Sequence, residues 1–415
     1  MSGDVSTPVQ VDEARLAGLV QRLGEVGAHP DGGIVRPQYS SAWRQAQDLV
    51  ATFMREAGLE VREDAVGNVF GRLEGEIRDR TVLTGSHIDT VVHGGAYDGA
   101  LGVLAGIAAL EAVGEGGERR RLPLEVVSLC EEEGSRFHAN FFGTRSILGL
   151  VDPDEPEQLV DAEGVTLAEA ARSVGLDPAA FPRARRDDVD MFLELHIEQG
   201  RTLVDSATDI GVVDVITGLK WLEVTVEGRT DHAGATAMAA RRDALQAAVR
   251  MAAAVEALVT EQGHPAVGTV GVMRVHPGGA NIVPGQVGFT VDVRHPDGAV
   301  LESLVTGLRK HCQAVAAERG LDVRVELVKD TPPHALDADL RAVLRDAADA
   351  CGASWRDLSS GAGHDSQTMA TRVPTAMLFV PSVDGRSHSP AEYSTPTDCA
   401  RGASVLATAL RSIAR

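Results

Sequence analysis

The sequence predicts an α/β fold in which a mostly parallel sheet lies between helices and a smaller α+β unit is inserted part-way along the chain. Three observations carry that expectation. The 415 residues exceed the roughly 250–300 at which a single core stops growing, so two domains are expected. From Val11 to about Val213 helix-like and strand-like stretches alternate, the order of a sheet covered on both faces. Between about Asp214 and Lys329 the rhythm changes, and beyond it α/β order returns.

In chain order, a helix is expected from Tyr39 to Ala57, then a strand at Thr81-Val82-Leu83-Thr84. The small-residue run from Gly99 to Leu110 reads as a helix able to pack tightly on a sheet, and Leu124 to Cys130 as a buried strand. A polar connection opens at Asp152-Pro153-Asp154-Glu155-Pro156 and runs to about Asp190, with one helical piece at Thr166 to Val174. In the next stretch Leu222, Val224 and Val226 alternate with polar residues, giving a half-buried strand. A helix from Asp243 to Glu261, strands at Val267 to Val275 and Val287 to Arg294, a helix from Leu301 to Arg319 and a strand from Val323 to Val328 complete a β-α-β-β-α-β order, that of a ferredoxin-like unit. The final segment offers a helix from Ala338 to Cys351 and a strand at Thr375 to Val380. The expected division is therefore 1–213 and 330–415 for the main domain, split by an insertion at 214–329.

Composition narrows the function classes. With 44% hydrophobic residues the chain can bury a sizeable core, and 39 basic against 60 acidic residues give a net charge of −21 with no basic stripe. Nucleic acid and anionic membranes are therefore not expected as partners. No apolar run approaches a membrane span, and Met1 to Pro8 has neither the basic start nor the apolar core of a signal peptide. Cys130, Cys312, Cys351 and Cys399 lie far apart with no Cys-x-x-Cys spacing, the usage of reduced thiols in a cytoplasmic protein. Lysine is nearly absent (Lys220, Lys310 and Lys329) while arginine and alanine are abundant, which reads as coding bias.

Polar motifs punctuate this framework: Gly85-Ser86-His87-Ile88-Asp89-Thr90, Tyr97-Asp98-Gly99, Glu131-Glu132-Glu133-Gly134-Ser135-Arg136-Phe137, Glu194-Leu195-His196-Ile197-Glu198-Gln199-Gly200 and Gly385-Arg386-Ser387-His388-Ser389-Pro390. Two divalent cations a few ångströms apart need terminal imidazoles, terminal carboxylates and one carboxylate between them, an inventory that His87, Asp98, Glu133, His196 and His388 supply. Glu132, beside a ligand yet outside the set, is placed to take a proton from an attacking water. Each motif alone has a bland reading. His87 could be a hydrogen-bonded residue at a strand end, the three glutamates a solvated acidic loop, and Asp98 a helix N-cap. The position of the glutamates, after a strand of buried character, favours chemistry, because ligands in open α/β sheets gather at strand ends.

In these motifs, in order and without a gap from about Leu23 onward, the chain resembles the aminoacylase and carboxypeptidase family of two-metal amidohydrolases. It is closest in kind to the branch of N-carbamoyl-L-amino-acid hydrolases, β-ureidopropionases and allantoate amidohydrolases. The resemblance implies two divalent cations per subunit, zinc or else manganese, cobalt or nickel, with Asp98 bridging and Glu132 as general base. It implies that Asp89 orients the His87 imidazole. It also implies that Gln199, His232, Asn281 and Arg294 hold the substrate, and that the insertion serves as a dimerisation or lid domain delivering His232 across a homodimer interface.

For the substrate residues the local readings stay open. Val287, Phe289, Val291 and Val293 occupy one face of their strand, so Arg294 projects from the polar face, where it could clamp a carboxylate or pair with Asp292 or Asp297. Asn281 sits in a glycine-rich turn that its amide could simply stabilise. His232 would be an oxyanion donor or a helix-start histidine. His364, among glycines, reads as a possible support for the site; His29, His93, His138, His264, His276, His295, His311 and His334 match no ligand role.

Two departures from the family pattern stand out. The chain reads Ala233-Gly234-Ala235-Thr236-Ala237-Met238 where members more often carry a threonine pair and a proline. Lys220-Trp221 stands where allantoate-cleaving members tend to carry an arginine pair. The second departure favours hydrolysis of the ureido C–N bond of a carboxylate-bearing N-carbamoyl-L-amino acid, giving amino acid, ammonia and carbon dioxide. Allantoate, β-ureidopropionate and N-acyl or peptide substrates are the alternatives within the class. A catalytically silent amino-acid-binding relative is the alternative outside it, against which the retention of Glu132 argues.

Overall fold

A computed structural model describes residues 7–415. Residues 1–6, most of the stretch read above for a signal peptide, lie outside the described residues. No helix among those described is long and apolar enough to cross a membrane. The chain divides into two compact units, one made of the residues through Asp214 together with Ala335–Arg415, the other of Val215–His334. The second boundary falls beyond Lys329 because the last strand of the inserted unit, Asp322–Thr331, runs past it in ladder with Gly218–Glu227.

The larger unit is built on a twisted sheet whose strand order begins Glu60–Glu63, Val69–Leu73, Leu124–Leu129, Thr81–His87, Val189–Ile197, Thr375–Val380, Ile210–Ile216. Its four central strands, from Leu124–Leu129 through Thr375–Val380, run parallel, and antiparallel neighbours flank them. Such central strands are covered on both faces, which explains their near-continuous burial.

On one face lies Ala100–Glu115, a helix apolar all round because it is enclosed by the sheet, Glu13–Gly24 and Pro396–Ala414. Its approach to the sheet is closer than a side chain permits. A Cβ at Gly102 would stand 2.3 Å from the carbonyl oxygen of Leu195 in the neighbouring strand.

Caps explain several helix starts. Ser40 Oγ accepts from Trp43 N, so that helix is Ser41–Glu56; it cannot begin at Tyr39, whose φ of 55° is left-handed. Thr166 and Glu169 form a reciprocal capping box that fixes Leu167–Ser173. The segment around that helix is more than the polar connection expected from its composition. Leu167, Ala170, Ala171, Phe181 and Ala184 are buried with Tyr39, Trp43, Phe137 and Phe142 in a core of their own.

The smaller unit is a four-stranded antiparallel sheet in the order Asp322–Thr331, Gly218–Glu227, Gln286–His295, Val267–His276. Ala244–Gln262 and Gly298–Arg319, capped by Asp243 and Asp297, cover one face. This is the ferredoxin-like arrangement. Val287, Phe289, Val291 and Val293 are buried beneath the helices, as period-two alternation requires.

Gly102→Ala gives a direct test of the tight helix–sheet contact. Helix propensity alone would stabilise the alanine variant by about 1 kcal/mol. The overlap with Leu195 outweighs it, and a net loss of about 1–3 kcal/mol is expected. The loss should register as a lowered urea midpoint at unchanged slope; an unchanged or raised midpoint would mean that the helix shifts without cost.

Candidate metal centre

All four central strands deliver a polar group at the same edge of the sheet, because parallel strands share one direction. His87 ends its strand, Glu131, Glu132 and Glu133 follow Leu124–Leu129 by one residue, His196 is the penultimate residue of Val189–Ile197, and His388 lies in the loop after Thr375–Val380. Asp98 enters from the start of the small-residue helix. It is not that helix's cap: Gly99 holds the cap position, at φ 62° and ψ −50°, and no side chain caps the helix. Gly99 is also where the chain passes against His87, since a Cβ there would lie 2.3 Å from the imidazole Nε2.

Asp98 is the centre of the geometry. Its Oδ1 faces His196 Nε2 at 3.2 Å and His87 Nε2 at 3.6 Å. Its Oδ2 faces His388 Nε2 at 3.4 Å, and the same nitrogen stands 3.5 Å from Glu133 Oε2. Two groups able to hold a cation result, His87–Asp98–His196 and Asp98–Glu133–His388, sharing Asp98. Glu132 Oε2 lies 3.9 Å from His87 Nε2 and belongs to neither group.

His87 and His196 present the same ring nitrogen to Asp98. His87 Nδ1 donates to the carbonyl of Asp89 at 3.1 Å, and His196 Nδ1 to that of Ile197 at 2.9 Å, so each ring turns Nε2 towards Asp98, and His196 Nε2 also lies 2.9 Å from the backbone N of Gly99. Beside a carboxylate oxygen each Nε2 is matched either by a proton, which the neighbouring acids favour in both rings, or by a cation held in its place. The donor set therefore fits divalent cations, and its mixture of imidazole and carboxylate suits zinc, manganese, cobalt or nickel.

Electrostatics point the same way. Burial pushes the carboxyl of Glu132 well above the usual range, and burial together with Asp98 pushes Glu133 up to about 7. Burial also opposes charge on Asp98, but hydrogen bonding to His196 and His388 holds it well below the usual range. His388 is raised to about 9 by its hydrogen bond to Asp98. A site so rich in desolvated carboxylates is stabilised by bound cations, which reverse the pressure on each group.

Behind these candidate ligands is a layer of hydrogen bonds that holds them in place. Asp89, fully buried, accepts from the backbone N–H of Glu132 and Glu133 at 3.2 Å and stands 3.4 Å from His87 Nδ1, so one carboxylate fixes two motifs. Buried Arg36 donates to the carbonyls of Ile88, Leu23 and Val26, tying down the turn after His87. Glu194 accepts from Ser86 Oγ at 2.7 Å and from Ser366 Oγ at 2.6 Å. His364 stands edge-on to His196, ring centres 4.5 Å apart, with burial and His196 holding it neutral.

Sequence reasoning missed Arg36, Glu194 and, most of all, Glu392. Buried Glu392 accepts from the N–H groups of Tyr97 and Asp98, both at 2.9 Å. The only local signal was an acid two residues beyond Pro390, too ordinary to single out.

Gln199, expected to contact substrate, donates from Nε2 to Asp98 Oδ2 at 2.7 Å. Both Gln199 and His388 have left-handed backbones, φ 57° and 52°. Within the inserted unit, His232 and Asn281 are neighbours: the short strands Asp231–His232 and Ile282–Val283 pair, and Ala233 N donates to Asn281 O at 3.0 Å. His232 Nδ1 accepts from Gly234 N and Ala235 N, which leaves the proton on Nε2. The Arg294 guanidinium lies against Asp292 in the same strand at 3.0 Å, the pairing left open by the sequence.

Residues 83–412 match the family model described as Peptidase family M20/M25/M40. The chain belongs to peptidase family M20/M25/M40. An N-carbamoyl-L-amino acid amidohydrolase of Geobacillus stearothermophilus is 42% identical to this M20/M25/M40 chain over 395 residues, covering 94% of it and 96% of the relative. An allantoate amidohydrolase of Escherichia coli (strain K12) is 39% identical over 393 residues, with 94% and 96% covered. The crystal structure of an amidase of the hydantoinase/carbamoylase family from Burkholderia multivorans superposes with a TM-score of 0.90 at 37% identity, covering 98% of each chain. This M20/M25/M40 member is thus an amidohydrolase of the carbamoylase and allantoate branch, a hydrolase acting on C–N bonds. Such amidohydrolases are metal-dependent, and the chain carries groups able to bind metal.

The shared position of Asp98 gives an asymmetric prediction. Asp98→Ala should lower occupancy of both cations, whereas His388→Ala should lower only one, as read by metal content after dialysis against limiting zinc. Equal losses in the two variants would reject the bridging role.

Proposed function

We propose that this amidohydrolase cleaves the ureido C–N bond of N-carbamoyl-L-amino acids, using two divalent cations held by His87, Asp98, Glu133, His196 and His388. The observation that carries the reading is the division of Asp98's two oxygens between two ligand groups, with Glu132 beside them and outside both. When bound, the cations supply Lewis acidity for the scissile carbonyl and for water.

The chain's own residues do the rest. Glu132, desolvated and oriented through its backbone N–H by Asp89, accepts a proton from the attacking water. It returns that proton to the departing amino-acid nitrogen. The carbamic acid released breaks down to ammonia and carbon dioxide, so one water is consumed for one amino acid, one ammonia and one carbon dioxide. His232, with its proton fixed on Nε2 by the N–H groups of Gly234 and Ala235, is a donor suited to the developing oxyanion. Arg294, with Asn281 and Gln199, recognises the substrate; its guanidinium fork exchanges part of its contact with Asp292 for the substrate carboxylate.

The preference for N-carbamoyl amino acids over allantoate rests on Lys220 and Trp221 as well as on the identity to the Geobacillus stearothermophilus relative. Lys220 Nζ is paired with Asp330 and Glu302 at 2.7 Å, and Trp221 Nε1 donates to Asp292 at 2.8 Å. Neither offers a planar fork for the second ureido group of allantoate. Free cysteines, with Cys130, Cys312 and Cys399 buried, suit a cytoplasmic location.

The substrate is tested by assaying zinc-, manganese- and cobalt-loaded enzyme for amine release from N-carbamoyl-α-amino acids, N-carbamoyl-β-alanine, allantoate and dipeptides. The N-carbamoyl-α-amino acids should give the highest kcat/KM, and a preference for allantoate would overturn the substrate assignment. On the preferred substrate Glu132→Gln should keep the full metal content and lose turnover by at least about 100-fold. Full activity at full occupancy would remove Glu132 from the mechanism.

The composite site is a further part of the proposal: a homodimer in which His232 serves the partner's active site. Mixing Glu132→Gln and His232→Ala proteins under conditions of subunit exchange should then restore activity, since one site in each mixed dimer is intact. If exchange is demonstrated by mass and no activity returns, His232 does not act across an interface.

A further inference from the structure

Glu392 is buried, lies outside both cation groups, and touches both of the loops that bring them together. Its Oε1 takes the backbone N–H of Tyr97 and of Asp98, each at 2.9 Å. Its Oε2 lies 2.9 Å from Ser387 Oγ, and Ser387 Oγ lies 2.7 Å from Asp98 Oδ2. Ser387 precedes His388 directly. The loop is closed on itself by Glu392 N donating to Ser389 O at 3.0 Å. The chain at Gly95 passes so near that a Cβ there would lie 2.0 Å from Glu392 Oε1. Tyr97 and Tyr393, next to these residues, meet edge to face with ring centres 5.8 Å apart, a second tie between the same loops.

The two cation groups differ in what holds them. His87 and His196 are buried at the ends of central strands. His388 is half exposed, sits on a loop and has a left-handed backbone. Within this layout its registration with Asp98 comes through Ser387, held on one side by Glu392 and on the other by Gln199, whose Nε2 lies 3.3 Å from Ser387 Oγ and donates to Asp98 Oδ2. The one hydroxyl proton of Ser387 faces two carboxylates. When Asp98 is satisfied by cations, that proton is available to Glu392, and the link between the loops is kept.

We infer that Glu392, acting through Ser387 and the backbone of Tyr97 and Asp98, is a positioning residue that sets the affinity of the Asp98–Glu133–His388 cation group while leaving the His87–Asp98–His196 group largely unaffected. The inference rests on the two-cation reading above.

Equilibrium dialysis against zinc, with cobalt titration followed by visible absorption as a reporter of ligand geometry, tests it in the full-length protein. Ser387→Ala removes only a hydroxyl, and Glu392→Gln keeps an acceptor for the two N–H groups while presenting a donor to Ser387. In both variants the second cation should bind about 10- to 100-fold more weakly, the range found when partners of metal ligands are removed, with the first cation's Kd unchanged. Excess metal should restore kcat in Ser387→Ala with KM unaltered. Equal weakening of both cations, or of neither, overturns the inference. The wild-type stoichiometry separates the two levels of argument: one cation per chain rejects the two-cation reading and this inference with it, while two cations in wild type and unchanged second-site binding in the variants reject this inference alone. Should Glu392→Gln fail to fold, judged by circular dichroism, Ser387→Ala carries the same outcomes.

Discussion

A carboxylate whose two oxygens serve different imidazoles has to be fixed in position from several sides, and Asp98 is fixed in this way. Its backbone N–H is held by Glu392, its Oδ2 by Gln199 and Ser387, and the peptide after it passes against His87 with room only for glycine. Much of the larger unit serves this placement. The helix that starts beside Asp98 lies on the sheet at a distance that Gly102 permits, and the same sheet carries His87 and His196. Moving the helix outward by the width of a methyl group would separate the carboxylate from its imidazoles.

The second constraint is charge. Asp89, Asp98, Glu131, Glu132, Glu194 and Asp365 are buried near one another, and Glu133 is nearly so. Burial raises Asp365 to about 8 and Glu131 well above the carboxylate range. Buried Arg36, itself lowered to about 10 by desolvation, is a permanent cation beside Asp89, and its donors are occupied by backbone carbonyls. Buried charge of one sign is tolerated where it coordinates cations, so under the proposed two-cation reading the acids outside both groups form the shell that would orient the ligands and tune the metal.

The inserted unit has a different logic. Its core is an ordinary alternation of buried and exposed positions, and the residues of interest are those alternation leaves outside. His232 has its tautomer set by two backbone N–H groups, a feature of the local turn and independent of the exact residues that follow it. That is why the unusual Ala233-Gly234-Ala235 stretch is compatible with a donor role. Arg294 and Asp292 share a strand face two residues apart, so their pairing follows from the period of the strand.

The sequence by itself determined the α/β class, the inserted β-α-β-β-α-β unit and most helices and strands, because these follow from local periodicity: Thr375–Val380 was legible residue for residue, whereas the helix expected from Tyr39 starts after the Ser40 cap. It also supplied the inventory of imidazoles and carboxylates, since ligand chemistry is written in residue type. Tertiary structure alone decided which oxygen of Asp98 meets which histidine, that Gly99 and not Asp98 holds the helix cap position, that the 152–190 connection has a core of its own, and that Arg36, Glu194, Ser387 and Glu392 support the site. Those are relations between residues as far apart as Tyr97 and Glu392. Such contacts leave no periodic trace in the chain, because they are set by where the strands end and how closely the helices pack on them.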